Sequence, residues 1–116
     1  MECVRPKDGS KLLIRKVKKE FEFTPNLDEL SDLMEVSGNP SRLKILALLY
    51  RYQEACVCDI ADVLELTVPA ISQHLGKLKS HSLIDSRREA QTIYYFLTNH
   101  PFNKRLTTVF AGLGEW

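Results

Sequence analysis

Apolar positions along the chain recur at helical spacing until about residue 80, shift to alternation for one short stretch, and then return to helical spacing. The first strong helix signal is TPNLDEL: Thr24 or Asn26 can cap, Pro25 suits a first turn, and Asp28 and Glu29 complement the positive helix end. Leu27, Leu30, Leu33 and Met34 give that helix its apolar stripe, and Gly38 ends it. Asn39 and Pro40 repeat the start signal for a helix from Ser41 to about Tyr52 that is apolar nearly all round, the mark of a central core helix. A third helix is predicted from about Cys58 to Leu64, with Ile60, Ala61, Val63 and Leu64 inward. After two or three residues a fourth starts at Thr67, where Ile71, Leu75 and Leu78 stand at i, i+4 and i+7. LIDSRR and TIYYFL then read as two strands joined through Glu89, Ala90 and Gln91. Asn99 and Pro101 open a last helix whose stripe of Phe102, Leu106, Val109, Phe110 and Leu113 is longer than so small a core can hide. The fold class is therefore mainly α with a β-hairpin wing.

Length and charge narrow the setting. A chain of 116 residues fits one domain and buries only about two-thirds of its unfolded surface, so a partner subunit helps it. Nothing approaches the roughly 18 apolar residues of a membrane span, and MECVRPKDGS lacks the apolar segment of a secretory signal, so a cytoplasmic protein is expected. The formal charge is only +1, yet Arg5, Lys7, Lys11, Arg15, Lys16, Lys18 and Lys19 crowd the start. We read residues 1–23 as a basic N-terminal arm and 24–116 as the folded domain. Any nucleic-acid surface must be a local patch.

The order of elements supplies that patch. Two short helices joined by a tight turn, the second with a small polar outer face, form the unit that inserts its second helix into the major groove of DNA. Ser72, Gln73, Gly76 and Lys77 lie on that outer face. Gln73 can pair bidentately with adenine, and Ser72 and Thr67 can reach base edges or phosphates. His74 reads as a groove-side or capping residue, Lys77 and Lys79 can meet the backbone, and Arg87 and Arg88 in the hairpin can reach an adjacent groove. For an arbitrary helix the plainer reading, a solvated polar face, would win; the succession helix, helix, tight turn, polar-faced helix, basic hairpin overturns it. A helix-turn-helix also needs two half-sites, so a homodimer is expected.

Three cysteines, an odd number, argue against a closed disulfide framework. Cys56 and Cys58 are separated by one residue, and on a regular helix such positions point about 200° apart. Both can hold one ion only where the backbone is not fully helical, as at a helix start, whose free N–H groups also favour the thiolate. The plain alternative is small buried filler.

The segment EACVCDIADVLELTVPAISQHLGKLK, residues 54–79, resembles the ArsR/SmtB family of metalloregulatory repressors, as do GNPSRLKILALL and the strand ending in IYYFL. The resemblance implies a winged helix-turn-helix dimer joined through its first and last helices, repression of a resistance operon on operator DNA, and derepression by metal. Cys-Val-Cys-Asp matches the arsenic-, cadmium- and lead-sensing branch, in which an N-terminal cysteine, here Cys3, completes the site from the other subunit. The implied metal residues are Cys3, Cys56 and Cys58, and the implied dimer contacts are Leu30, Phe102, Leu106, Val109, Phe110 and Leu113. Three thiolates with no nearby His suit a soft three-coordinate centre better than zinc: arsenite or antimonite is neutralised, lead keeps one negative charge, and cadmium wants a fourth donor. No organic cofactor is implied. The family's other zinc site, on the last helix, is absent, since His100 has no second His or carboxylate before Glu115. Where the family has glycine after the recognition helix and in the wing turn, this chain has His81, Ser82 and Glu89, Ala90, Gln91, which places those turn geometries in question.

One other function is open to test. The cysteines could sense oxidants or persulfide, although Cys-x-Cys pairs close strained disulfides. A thiol enzyme is rejected, because there is neither a Cys-x-x-Cys motif nor a recognisable base beside a cysteine.

Overall fold

The computed structural model describes Lys7, residues 13–22 and residues 26–114. Its order is α1 (Ile14–Glu22), α2 (Asn26–Gly38), α3 (Pro40–Tyr52), β1 (Glu54–Cys56), α4 (Val57–Leu64), α5 (Val68–Ser80), β2 (Ile84–Glu89), β3 (Thr92–Leu97) and α6 (Pro101–Ala111). The chain divides into two units, Met1–Ser31 and Asp32–Trp116.

In the first unit the arm contains a helix that the sequence reading did not anticipate. In α1, Ile14, Val17 and Phe21 repeat at helical spacing between Arg15, Lys16, Lys18 and Lys19, and none of its residues is buried. The expected cap Thr24 and the first-turn Pro25 lie outside the described residues.

The second unit holds the core. Ile45, Leu46 and Leu49 of α3 are buried at its centre, joined by Leu33 and Val36 of α2, Ile60 and Ala61 of α4, Ile71, Leu75 and Leu78 of α5, then Leu83, Ile84 and Phe110. Asn39 caps α3 as its residue type requires: its Oδ1 accepts from the backbone N–H of Ser41 at 3.0 Å and of Arg42 at 3.1 Å. Of the expected stripe on α2, only Leu33 is buried; Val36 replaces Met34 on the inward side. On α4, Val63 is 62% exposed instead of inward. An eight-residue helix has two turns, and here Ile60 and Ala61 are the residues that face the core.

The wing is a three-stranded antiparallel sheet in the order β1-β3-β2. The register pairs Ile84 with Leu97 and Glu89 with Thr92 across the hairpin, which leaves Ala90 and Gln91 as the two-residue turn. On the other side of β3, Glu54 pairs with Phe96, Ala55 with Tyr95 and Cys56 with Tyr94. β1 was not expected: three residues are too few to show alternation.

The two turns without glycine take the backbone that glycine favours. Ser82, after α5, has φ 62° and Ala90 has φ 56°. The left-handed region costs an L-residue roughly 1–2 kcal/mol, and here the surrounding bonds hold it. After α5, the Ser82 N–H donates to Lys79 O at 2.9 Å and the Leu83 N–H to Leu78 O at 3.1 Å. The root of the hairpin is tied to α6 by buried Asn103, whose Nδ2 donates to Leu83 O at 2.7 Å and to Thr98 O at 3.1 Å.

Candidate DNA-binding surface and thiol site

The recognition helix is α5. Val68 and Pro69 start it without needing intrahelical donors, and Thr67 caps it, its Oγ1 accepting from the Ala70 N–H at 3.2 Å. The preceding helix, α4, stops at Glu65, whose left-handed backbone (φ 55°, ψ 43°) sends the Leu66 N–H back to Ala61 O at 3.0 Å. This is the tight turn of a helix-turn-helix. With Ile71, Leu75 and Leu78 buried, Ser72, Gln73, Gly76, Lys77 and Lys79 are left exposed, and His74 is half-buried between the two faces. A Cβ built on Gly76 would meet nothing within 4 Å, so among the described residues no contact requires glycine there.

The wing cations are not equivalent. Arg87 donates through Nε to Glu54 Oε2 at 3.0 Å and through Nη2 to Glu54 Oε1 at 2.6 Å, a two-pronged pair. Its Nη1 donates to Glu89 Oε2 at 3.1 Å, and its guanidinium lies 4.9 Å from the centre of the Tyr94 ring. The bonds from Arg87 hold the Glu54 carboxyl below its ordinary range, and those same bonds raise the Arg87 guanidinium above its own. Arg87, expected to reach an adjacent groove or its phosphates, is thus already engaged by two carboxylates within the wing. Among the described residues Arg88 spends only Nε, on Ala90 O at 3.2 Å. Lys79 bridges helix and wing, its Nζ 3.0 Å from Ser86 Oγ and 3.9 Å from Asp85 Oδ1.

The cysteines stand at the strand-to-helix junction that opens the helix-turn-helix. Cys56 ends β1 with extended backbone (φ −87°, ψ 163°) and occupies the cap position of α4; Cys58 is the second residue of that helix. Regular helix thus begins only after Cys56, at Val57, so the pair does not lie wholly within a helix, the condition that the spacing imposed. Cys56 is half-buried, Cys58 is exposed and both are free, so neither is buried filler. A soft ion fits such a donor pair: two accessible thiols at a helix start, with exposed Asp59 beside them as a further oxygen donor. Cys3 lies outside the described residues, and among the described residues no group of three or more potential ligands assembles.

On the last helix, His100 is the cap, its Nδ1 accepting from the Phe102 N–H at 3.0 Å. Phe102 and Leu106 pack partly on the core, while Phe110 is 3% exposed and 5.6 Å from the Tyr50 ring. Phe110 thus serves its own chain's core. Val109 and Leu113, at 60% and 66% exposure, remain as free apolar surface, and Leu30 on α2 is also exposed.

A family model described as bacterial regulatory protein, arsR family, matches residues 39–86, the stretch from the cap of α3 into the wing. A transcriptional repressor SmtB homolog from Synechocystis is 33% identical over 91 residues, covering 78% of this chain and 68% of that protein. The chain belongs to the ArsR/SmtB family. Its ArsR-type fold is equally clear in three dimensions: reduced HlyU from Vibrio cholerae superposes with a TM-score of 0.72 at 32% identity, over 82% of this chain and 98% of that one. The cadmium resistance transcriptional regulatory protein CadC of Listeria innocua is 36% identical over 70 residues, 60% of this chain. The match spans 59% of that relative's length. These ArsR/SmtB relatives are transcriptional regulators and not enzymes. Among the described residues no helix is long and apolar enough to cross a membrane.

Sequence reasoning did not single out Glu54 or Asn103. Glu54 was legible only as one charge before a helix, and its role depends on a side-chain contact with Arg87, 33 residues away in sequence, made across β3. Asn103 sits among the polar residues of α6, and no periodicity marks an amide that is buried to bond a neighbouring loop.

Proposed function

We propose that this protein is a cytoplasmic transcriptional repressor that binds operator DNA as a homodimer and lets go when Cys56 and Cys58 capture a soft metal or metalloid ion. The observation that carries this reading is the position of the two free thiols, on the junction between β1 and α4, one helix before the recognition helix. A soft ion such as arsenite, antimonite, lead or cadmium supplies strong bonds to thiolate sulfur. The chain's own groups do the rest. Gln73 reads a base edge, Ser72 and Thr67 reach base edges or phosphates, His74 lies to the groove side, and Lys77, Lys79 and Arg88 hold the sugar-phosphate backbone. Leu30, Phe102, Leu106, Val109 and Leu113 supply the dimer surface, with Val109 and Leu113 having the most area to give. Drawing the two sulfurs together shifts the start of α4 and, through the tight turn, the aim of α5. Cys3 is proposed as the third thiolate, delivered from the partner's arm.

Anisotropy titrations with labelled operator test this. Metal is expected to weaken binding by reduced protein roughly 5- to 150-fold, the usual span of allosteric coupling. Cys56→Ser and Cys58→Ser should keep DNA binding and lose the response, and Cys3→Ser should weaken metal capture more than repression. Release of DNA by the double Cys56, Cys58 variant on metal addition would place sensing elsewhere.

A further inference from the structure

The wing and the thiol site share one sheet. Cys56 pairs with Tyr94 on β3, and Tyr94 pairs with Arg87 on β2, so the sensor thiol, the aromatic ring and the wing arginine form one row across three strands. Residues directly opposite on neighbouring strands share a face, and Glu54, two residues before Cys56, lies on that same face. From there its carboxylate reaches over β3 to take both prongs of the Arg87 guanidinium, at 2.6 and 3.0 Å. β1 and β2 do not pair with each other; Glu54 and Arg87 join them across the strand between.

We propose that Glu54 is a positioning residue that carries thiol capture at Cys56 to the wing by holding Arg87 across β3. The proposal rests on the metal-sensing reading above and adds a second route to it, separate from the one through α4 and α5. Both partners are partly solvent-exposed, with side chains 44% and 39% accessible, and exposed ion pairs contribute little to stability. The geometric consequence is larger. β1 has only three residues, and Gln53 before it has φ 70°, a backbone that other residues must hold in place. A displacement of Cys56 moves Glu54 with it, since the two belong to one short extended strand. Glu54 is then withdrawn from Arg87, and the hairpin that carries Arg87 and Arg88 loses the contact that fixes its angle to β1. In the clasped state the wing is set for DNA; in the unclasped state it is not.

The test compares wild type, Glu54→Gln and Arg87→Lys, all full length and reduced. The Gln side chain keeps the shape of Glu without its charge, and Lys keeps the wing's charge without the fork. Three quantities are read: the thiolate-to-metal absorption band with Cd(II), operator affinity with and without Cd(II), and hydrogen exchange of the wing amides without metal. Both variants are expected to show the wild-type absorption band, faster exchange in Ser86–Glu89, and a metal-induced change in affinity less than a third of the wild-type ratio. A ratio equal to wild type in either variant overturns the proposal, as does unchanged wing exchange in Glu54→Gln. Wild type that forms the absorption band and does not release DNA instead overturns the metal-sensing reading itself.

Discussion

Single residues on this surface divide by what else they hold. Gln73 is exposed on α5 and among the described residues no bond occupies its amide, so Gln73→Ala is expected to relax base preference at one operator position at a cost of about 1–3 kcal/mol. Arg88→Ala is expected to weaken binding to all sequences alike and to lower the salt slope by about 0.9, the value for one phosphate contact. Affinities on operator and scrambled DNA at several salt concentrations separate the two outcomes. Ala90 makes a different point. At φ 56° it occupies a turn position that glycine accepts without strain, so Ala90→Gly is expected to raise stability by about 0.5–1 kcal/mol after glycine's own entropy cost, seen as a melting temperature a few degrees higher. The sequence raised the question at Ser82 and Ala90 by lacking glycine there. It could not answer it, because at Ser82 the left-handed backbone goes with the bonds that close the end of α5, Ser82 N–H to Lys79 O and Leu83 N–H to Leu78 O, which no residue type in the turn announces.

Elements were legible in proportion to their length and to the chemistry of their ends. α3, α5 and α6 each carry a cap, Asn39, Thr67 and His100, and a proline in the first turn, and all three begin within a residue or two of the expected start. β1 was missed because its three residues, EAC, carry no turn signal and are a strand only by pairing with β3, about 40 residues onward. α1 was read as part of an arm, since Pro6 and Gly9 dominate its approach. α6 shows what periodicity alone cannot resolve: it placed Val109 and Phe110 on one stripe, yet one is exposed and the other buried. Their substitutions should therefore diverge. Val109→Glu is expected to leave the melting temperature near wild type while sedimentation shows monomer and operator affinity falls. Phe110→Ala is expected to cost about 3–5 kcal/mol of stability, the range for emptying a buried aromatic site. Equal melting temperatures for the two variants would contradict this division of the helix.

For the molecule as a whole, the proposed mechanism requires that binding of DNA and of metal oppose each other equally. If metal weakens operator binding by a given factor, saturating operator must weaken metal capture by the same factor, which competition with a chromophoric chelator can measure. The thiol half of this proposed linkage is suggested in the sequence by two cysteines one residue apart; the wing half is not, because Glu54 and Arg87 meet only across the sheet. The root of the hairpin adds a consequence of its own. Asn103 fastens α6 to Leu83 and Thr98, the two ends of the wing, with one buried amide. In the proposed dimer α6 belongs to the shared seam, so each wing tip stands at a fixed reach from the twofold axis. Such a molecule is a calliper with locked joints, and it measures the separation of two half-sites as much as their letters. One base pair inserted between half-sites moves them about 3.4 Å apart and turns one against the other. Wild type should lose most of its affinity on that operator, whereas Asn103→Leu, its joints loosened, should bind the original operator more weakly and discriminate far less between the two.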